Sequence, residues 1–140
     1  MEFYEKAMVE TPSAITAFNI AMQYKFTDNE KYQNYIQKAI EFDENHNPSL
    51  FNYSKILKQK GKKEEADILI NKAFNNWKIK FENETLQKSD YSWFASCAEE
   101  LGKIEFAEQI KEAAPKEEDE KLYNFKNLTE IKQENGLIKL

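Results

Sequence analysis

The side chains with the most chemistry to offer in this 140-residue chain are its single cysteine, Cys97, and its single histidine, His46. A cysteine and a histidine can act as nucleophile and general base if the fold brings them together. Cys97, however, falls one turn beyond Trp93 and Phe94 on a predicted helix, where a semi-buried and inert thiol is the simpler interpretation. We therefore predict that the protein is not an enzyme and has no catalytic residues.

The residue types also argue against a metal or phosphate site. One histidine and one cysteine cannot supply the usual zinc ligands, and the sequence has no alternating Asp/Asn loop for calcium. The three glycines, Gly61, Gly102 and Gly136, are too far apart to form a phosphate-binding loop. We predict no metal and no cofactor.

The charged residues of the chain argue against a specific nucleic acid as its partner. All 20 basic residues are lysines, 25 residues are acidic, and the net charge is -5. Specific recognition of phosphates and guanine edges typically uses the planar fork of arginine, so we expect no specific nucleic acid as a partner. The acidic N-terminus differs from a signal peptide, and no apolar run approaches the length of a membrane span. We predict a cytoplasmic protein with no membrane partner.

An all-α fold is predicted from the scarcity of turn residues. Three glycines and three prolines in 140 residues are well below the usual shares of about 7% and 5%. Helix starts are predicted at Thr11-Pro12, at the capping box Thr27 to Glu30, at Asn47-Pro48, and at Ser89 or Asp90.

Two stretches of the chain repeat each other without gaps. LGKIEFAEQIKEAA at 101–114 aligns on KGKKEEADILINKA at 60–73. The shared residues include Gly61 and Gly102, Ala66 and Ala107, and Ala73 and Ala114. A glycine with positive φ can end one helix, and small residues seven positions apart allow the next helix to pack closely against it. The repeat therefore predicts two helical hairpins.

The residues before each glycine supply the first helix of a hairpin: Leu50, Tyr53, Ser54 and Leu57 in one copy, and Tyr91, Phe94, Ala95 and Ala98 in the other. Together with the glycine and alanines, this pattern resembles the tetratricopeptide repeat (TPR). A weaker third copy has Tyr32 where the family usually has alanine. The resemblance implies a short α-solenoid of about three TPR-like helical hairpins with a C-terminal capping helix.

The predicted organisation is a single domain, 1–140, with an incomplete N-terminal unit (1–11), repeats at about 12–46, 47–87 and 88–115, and a capping helix and tail (116–140). The spacing of the last two copies exceeds the 34-residue period of the family, which predicts a lengthened helix after Gly61. Trp77 and Phe81 fall on the apolar face of this extension. We predict that they form a secondary interface, covered by the C-terminal segment or by a second copy in a homodimer.

In the family that this chain resembles, the first helices line a groove that holds a peptide. Mapped onto this sequence, the partner-binding residues are Tyr24, Phe51, Asn52, Lys55, Trp93 and Ser96. Exposed aromatic residues would be the anchors, and the alternative is that these rings pack inside the fold. Asn52 matches one residue of the clamp that holds chaperone tails, but the required positive charges are not present. We therefore expect a different partner.

The sequence is compatible with three function classes. The favoured one is a non-catalytic adaptor that binds a protein or peptide partner. The second is a small acidic inhibitor that occupies a basic site on an enzyme or a nucleic-acid-binding protein, whose binding would depend steeply on salt. The third is an enzyme that uses Cys97 and His46.

Overall fold

The computed structural model describes residues 12–116, and 77% of these residues are helical. The six helices are α1 (Ala14–Tyr24), α2 (Asn29–Phe42), α3 (Asn47–Gln59), α4 (Lys63–Glu82), α5 (Lys88–Glu100) and α6 (Ile104–Ala113). No described residue belongs to a strand. The prediction of an all-α fold is confirmed, whereas the predicted unit at 1–11 and the capping helix and tail beyond Lys116 lie outside the described residues.

The helices pack in consecutive pairs, as expected for a short helical repeat fold. The main contacts are between α1 and α2, between α3 and α4, and between α5 and α6. Contacts of α2 with α3, of α4 with α5, and of α3 with α5 stack these hairpins on each other. Each hairpin therefore buries one side against its partner helix and another side against the next hairpin.

The two glycines close the second and third hairpins as predicted. Gly61 has φ +80 and Gly102 has φ +76, a conformation that costs a glycine little. After each glycine a backbone N–H reaches back to a carbonyl near the helix end: Lys62 donates to Leu57 at 2.9 Å and Lys103 to Ala98 at 2.8 Å. These bonds form a Schellman motif, which satisfies carbonyls that the helix end leaves free.

The alanines of the repeated frame occupy the close-packed positions, with one exception. Ala66, Ala73 and Ala107 are buried where the second helix of a hairpin meets its neighbours. Ala114, in contrast, is half-buried and follows the last residue of α6. The prediction that Ala114 is the second close-packing alanine of the last hairpin is therefore wrong, because α6 ends at Ala113.

The predicted lengthening of the helix after Gly61 is confirmed by α4, which has 20 residues. The expectation that its extension has an open apolar face is wrong. Trp77 is 0% exposed and Phe81 is half-buried. Phe94 on α5 lies 6.2 Å from the Trp77 ring and 5.7 Å from the Phe81 ring, so α5 covers the face that we assigned to a partner.

The observed helix caps lie one to three residues from the predicted ones. Ser13 caps α1 by accepting a hydrogen bond from the Thr16 N–H at 3.1 Å, and Asp28 caps α2, so the predicted capping box is shifted by one residue. Helix α5 begins at Lys88, which places Asp90 in its first turn rather than at the cap. A carboxylate there is favourable because it faces the positive end of the helix dipole.

A buried polar pair joins the first two hairpins. The Tyr32 hydroxyl on α2 donates to Oδ1 of Asn52 on α3 at 3.1 Å, and the Asn52 amide donates to the Pro48 carbonyl at 2.7 Å. Tyr32, the residue that departs from the repeat pattern, therefore finds its partner on the next hairpin. Asn52 is 1% exposed, so water cannot easily replace either bond.

We expect Asn52→Ala to lower the free energy of unfolding by about 1–3 kcal/mol, because it leaves the Tyr32 hydroxyl buried without its acceptor. Urea denaturation of Asn52→Ala, Tyr32→Phe and the double variant would measure this loss. The double variant should lose less than the sum of the single losses, since both changes remove the same hydrogen bond. Additive losses would show that the two side chains are not coupled.

Candidate functional site

Three of the six residues predicted to bind a partner lie in the core. Tyr24, Phe51 and Asn52 are each at most 2% exposed. Tyr24 stacks on Tyr35 of α2, and Phe51 meets Trp77 of α4 edge to face. The exposure that we expected of these residues is therefore wrong, and the alternative that they pack inside the fold applies to them.

The physical reason is that the first helices of the three hairpins converge. Trp93 on α5 contacts Phe18 on α1 and Phe51 on α3, with ring centroids 5.8 Å and 6.1 Å apart. Edge-to-face packing of this kind adds to the stabilisation from buried area. The rings of Phe18, Phe51 and Trp93 therefore fill the space between the first helices where we expected a peptide groove. Of these three rings, only that of Trp93 is partly exposed.

The other two predicted residues lie together on the surface. Lys55 is exposed and Ser96 is half-buried, and both line a shallow depression with Glu99 and Glu100. The Lys55 ammonium lies 4.5 Å from the centre of the Phe51 ring. The six residues predicted to bind a partner therefore do not form one site. Three are buried, two lie on the surface, and Trp93 is intermediate in exposure.

The more substantial opening lies at one end of the hairpins. We call it the amide cleft. It is lined by residues of α1 (Ile15, Phe18, Asn19), by residues before and within the start of α3 (Asp43, Asn45, His46, Asn47, Pro48), by residues of α4 (Trp77, Lys80), and by residues around the start of α5 (Gln87, Ser89, Asp90, Trp93). Its volume is about 520 Å³. All three hairpins contribute to it, so the cleft depends on how they stack.

Side-chain amides give this cleft its polar character. The Asn76 amide donates to Oδ1 of Asn47 at 2.8 Å and to Oδ1 of Asn45 at 3.3 Å, which fixes the segment before α3 against α4. Asn19 and Gln87 also line the cleft and are exposed. Because an amide can both donate and accept hydrogen bonds, this lining can pair with peptide backbone groups.

His46 lies in the same segment and is held by two contacts. Its Nδ1 is 2.6 Å from the Ser49 hydroxyl oxygen, and its ring meets Phe18 edge to face at 5.3 Å. Burial lowers the pKa of His46 below its usual value, and Asp43 offsets part of this shift. The imidazole is therefore mainly neutral near pH 7 and adds little charge to the cleft.

Asp90 differs from the other charged residues of the cleft in its surroundings. Its carboxylate is half-buried and has no hydrogen bond or ion pair shorter than 4 Å with any residue of the described part of the chain. Burial raises the pKa of Asp90, while the Lys80 ammonium acts in the opposite direction. A carboxylate in this position is poorly solvated and gains from a cationic neighbour.

The thiol of Cys97 lies in surroundings that do not favour nucleophilic chemistry. Cys97 is fully buried, and its thiol lies 3.7 Å from the Ile70 carbonyl oxygen. Burial, with a smaller effect from Glu100, raises the pKa of Cys97 to about 12, the opposite of what a nucleophile needs. No cluster of three or more His, Cys, Asp or Glu residues in this range is arranged to hold a metal ion.

A second opening of about 400 Å³ lies between α5 and α6. Ser92 and Ser96 line it, together with the ion pair between Lys111 and Glu99. The chain leaves the described range at Lys116, next to Pro115 on the edge of this groove.

Sequence reasoning missed the amide cleft because its residues have other plausible roles. Asn47 and Asp90 were interpreted as helix-start signals, and Asn45 and Gln87 fall in predicted connections. Ile15, an apolar residue just after the predicted helix start at Thr11-Pro12, is 65% exposed. The one available signal is the run of polar residues around His46, which does not by itself show that α1, α4 and α5 meet there.

No helix within residues 12–116 combines the length and the apolar character needed to cross a membrane. Comparison of the chain with protein-family models, with curated proteins and with solved structures finds no match.

Proposed function

We propose that this chain is a cytoplasmic, non-catalytic adaptor with TPR-like architecture, which binds a short segment of a partner protein in the amide cleft. The observation that carries the proposal is the cleft itself, an opening of about 520 Å³ to which all three hairpins contribute. Ligand sites typically have volumes of about 300–1,000 Å³. The cleft is therefore large enough for a few side chains of a peptide.

The lining of the cleft has the two properties that peptide recognition requires. Ile15 offers an exposed apolar side chain and Trp93 a partly exposed one, while Asn19 and Gln87 offer hydrogen-bond donors and acceptors. Apolar anchors supply most of the affinity in such contacts, and polar groups fix the direction of the bound chain. This combination supports a binding role in preference to a catalytic one.

The TPR-like part of the proposal rests on the repeated hairpin frame. The second and third hairpins have glycine turns with the same backbone geometry, and each has a buried alanine at the equivalent position, Ala66 and Ala107. Repeat proteins of this kind present an extended surface to which several repeats contribute, which suits a scaffold. The amide cleft lies at one end of the first helices, whereas the groove expected from the resemblance runs along them.

Selection from a random 12-residue peptide library displayed on phage tests the proposal, with the full chain as bait. We expect enriched peptides to bind with micromolar Kd and to bind Ile15→Asp about tenfold more weakly, because the substitution removes an exposed apolar anchor. An aspartate in the first turn of α1 is compatible with folding, since it faces the positive helix end. Fluorescence anisotropy with labelled peptides would measure each Kd.

The matched control is Ile68→Asp on α4, which replaces an isoleucine that is 69% exposed and does not line the cleft. Its Kd values should stay within about twofold of those of the unaltered protein. Failure to enrich any peptide whose binding depends on Ile15 would contradict the proposed function. The same would follow if Ile68→Asp weakened binding as much as Ile15→Asp.

The second candidate is an acidic inhibitor of a basic partner, which the net charge of -5 favours. Such binding would use the surface charge broadly and would weaken steeply as salt rises. Repeating the anisotropy titrations at low and high salt would distinguish the adaptor function from the inhibitor function. A contact centred on Ile15 and Trp93 should retain most of its affinity at high salt.

A further inference from the structure

We infer that the amide cleft selects a peptide segment in which a lysine or arginine side chain lies beside an apolar one, with Asp90 as the acceptor for the cation. This inference rests on the proposed function and specifies the chemistry of the partner. It follows from three features of the cleft: an unpaired carboxylate, an excess of negative charge, and apolar surface next to both.

The first feature is the state of Asp90 in the cleft. Its carboxylate is half-buried and without a hydrogen bond or ion pair among the residues that the structure describes. Partial burial of this carboxylate is only partly offset by the α5 terminus and the Lys80 ammonium, and a cation that arrives with the ligand relieves the remaining cost. The cleft therefore contains an acceptor that is ready for a cationic donor.

The second feature is the balance of charge around the cleft. Asp43 and Asp90 line it with one opposing ammonium, that of Lys80. The Asp43 carboxylate accepts the Asn45 backbone N–H at 2.9 Å, so it keeps a fixed position. With His46 mainly neutral, the lining has a net negative charge, which attracts cationic segments and disfavours acidic ones.

Helix N-termini at the same edge do not reverse this preference. Helices α3 and α5 both begin beside the cleft, and a helix N-terminus carries about half a positive charge. Asp90 lies in the first turn of α5, where its full negative charge outweighs the dipole of that helix. An anionic ligand at the α5 terminus would therefore be repelled by the Asp90 carboxylate.

The third feature is the apolar surface that adjoins the carboxylate. Trp93 lies three residues after Asp90 and is partly exposed, and Ile15 stands 65% exposed on the α1 side. The long stem of a lysine or arginine can pack on such surface while its charged end reaches an acceptor. An aromatic ring beside the cation adds a cation–π contribution, and an apolar neighbour in the ligand can cover Ile15.

The random 12-residue library serves as the probe for this inference. Among peptides whose binding depends on Ile15, we expect lysine or arginine next to an apolar residue to be enriched relative to the unselected library. Selection on Asp90→Asn should lose this enrichment, and selection on Asp90→Lys should favour aspartate or glutamate instead. Asp67→Asn on the exposed surface of α4 is the matched control and should leave the enrichment unchanged.

A double-mutant cycle then measures the interaction between Asp90 and the basic residue of the peptide. Replacing the basic residue of an enriched peptide with methionine should weaken binding to the unaltered protein about tenfold, and should change binding to Asp90→Asn by less than about twofold. Circular dichroism of each variant would confirm that it is folded. A merely structural role of Asp90 would weaken both peptides equally.

Each outcome bears on a different claim. Enrichment of Ile15-dependent peptides without a basic residue, or an equal loss for both peptides with Asp90→Asn, would overturn this inference and leave the proposed function intact. If no Ile15-dependent peptide is found, both fail. A dimer in sedimentation that Ile15→Asp converts to a monomer, together with no peptide binding, would show that a second copy occupies the cleft and would also overturn the inference.

Discussion

Replacing Trp77 with alanine is expected to lower the free energy of unfolding by about 3–5 kcal/mol, as is usual when a large buried side chain is removed. Trp77 is the largest fully buried side chain in the described residues. Its ring lies 6.4 Å from that of Phe51 on α3 and 6.2 Å from that of Phe94 on α5. The indole therefore joins the second hairpin to the third, and its loss would leave a cavity at their junction.

Urea denaturation followed by circular dichroism would measure the effect of Trp77→Ala. Ile79→Ala is the matched control, because Ile79 is two residues further along α4 and 59% exposed, so its loss should stay within about 0.5 kcal/mol. If Trp77→Ala does not fold, Trp77→Phe provides the measurable variant and should lose less. A loss below about 1 kcal/mol in Trp77→Ala would contradict the core position of this residue.

The second large expected effect concerns the reactivity of Cys97. With a pKa of about 12 in place of about 9, the thiolate fraction near pH 8 falls about a thousandfold. Only the thiolate attacks a disulfide reagent, and the buried sulfur also lacks access to one. We expect native Cys97 to react with Ellman's reagent at least about a thousandfold more slowly than the unfolded chain.

The absorbance of the released thionitrobenzoate follows this reaction directly. The matched control carries Cys97→Ala together with Ser92→Cys, which moves the single thiol to an exposed position on the same helix. That thiol should react at a rate close to that of an unfolded chain. Rapid labelling of native Cys97 near neutral pH would instead indicate an accessible, activated thiol and would reopen the enzyme hypothesis.

The parts of the fold that could be predicted from the sequence are those that local chemistry decides. Gly61 and Gly102 end their helices because positive φ is available to glycine at little cost, and the bonds that follow involve residues only five positions apart. The lengthened α4 follows from apolar residues at helical spacing with no turn signal between them. Such features need no knowledge of the rest of the chain.

Helix starts were predicted less well, although they are also local. Several residues near each start can cap a helix, and the choice among them depends on small energy differences. The cap of α5 is Gln87 in place of the predicted Ser89 or Asp90, a shift that is minor for the fold. It matters for the site, because it places Asp90 inside the first turn, where its side chain lines the amide cleft.

The sequence by itself determined an all-α chain of helical hairpins and the glycine turns that close two of them. The tertiary structure alone decided which aromatic side chains are available to a partner. Phe51 and Trp93 have the same hydrophobic character in the sequence, yet one is fully buried and the other is partly exposed. That difference depends on how closely α1, α3 and α5 converge, which is set by packing between residues far apart in the chain.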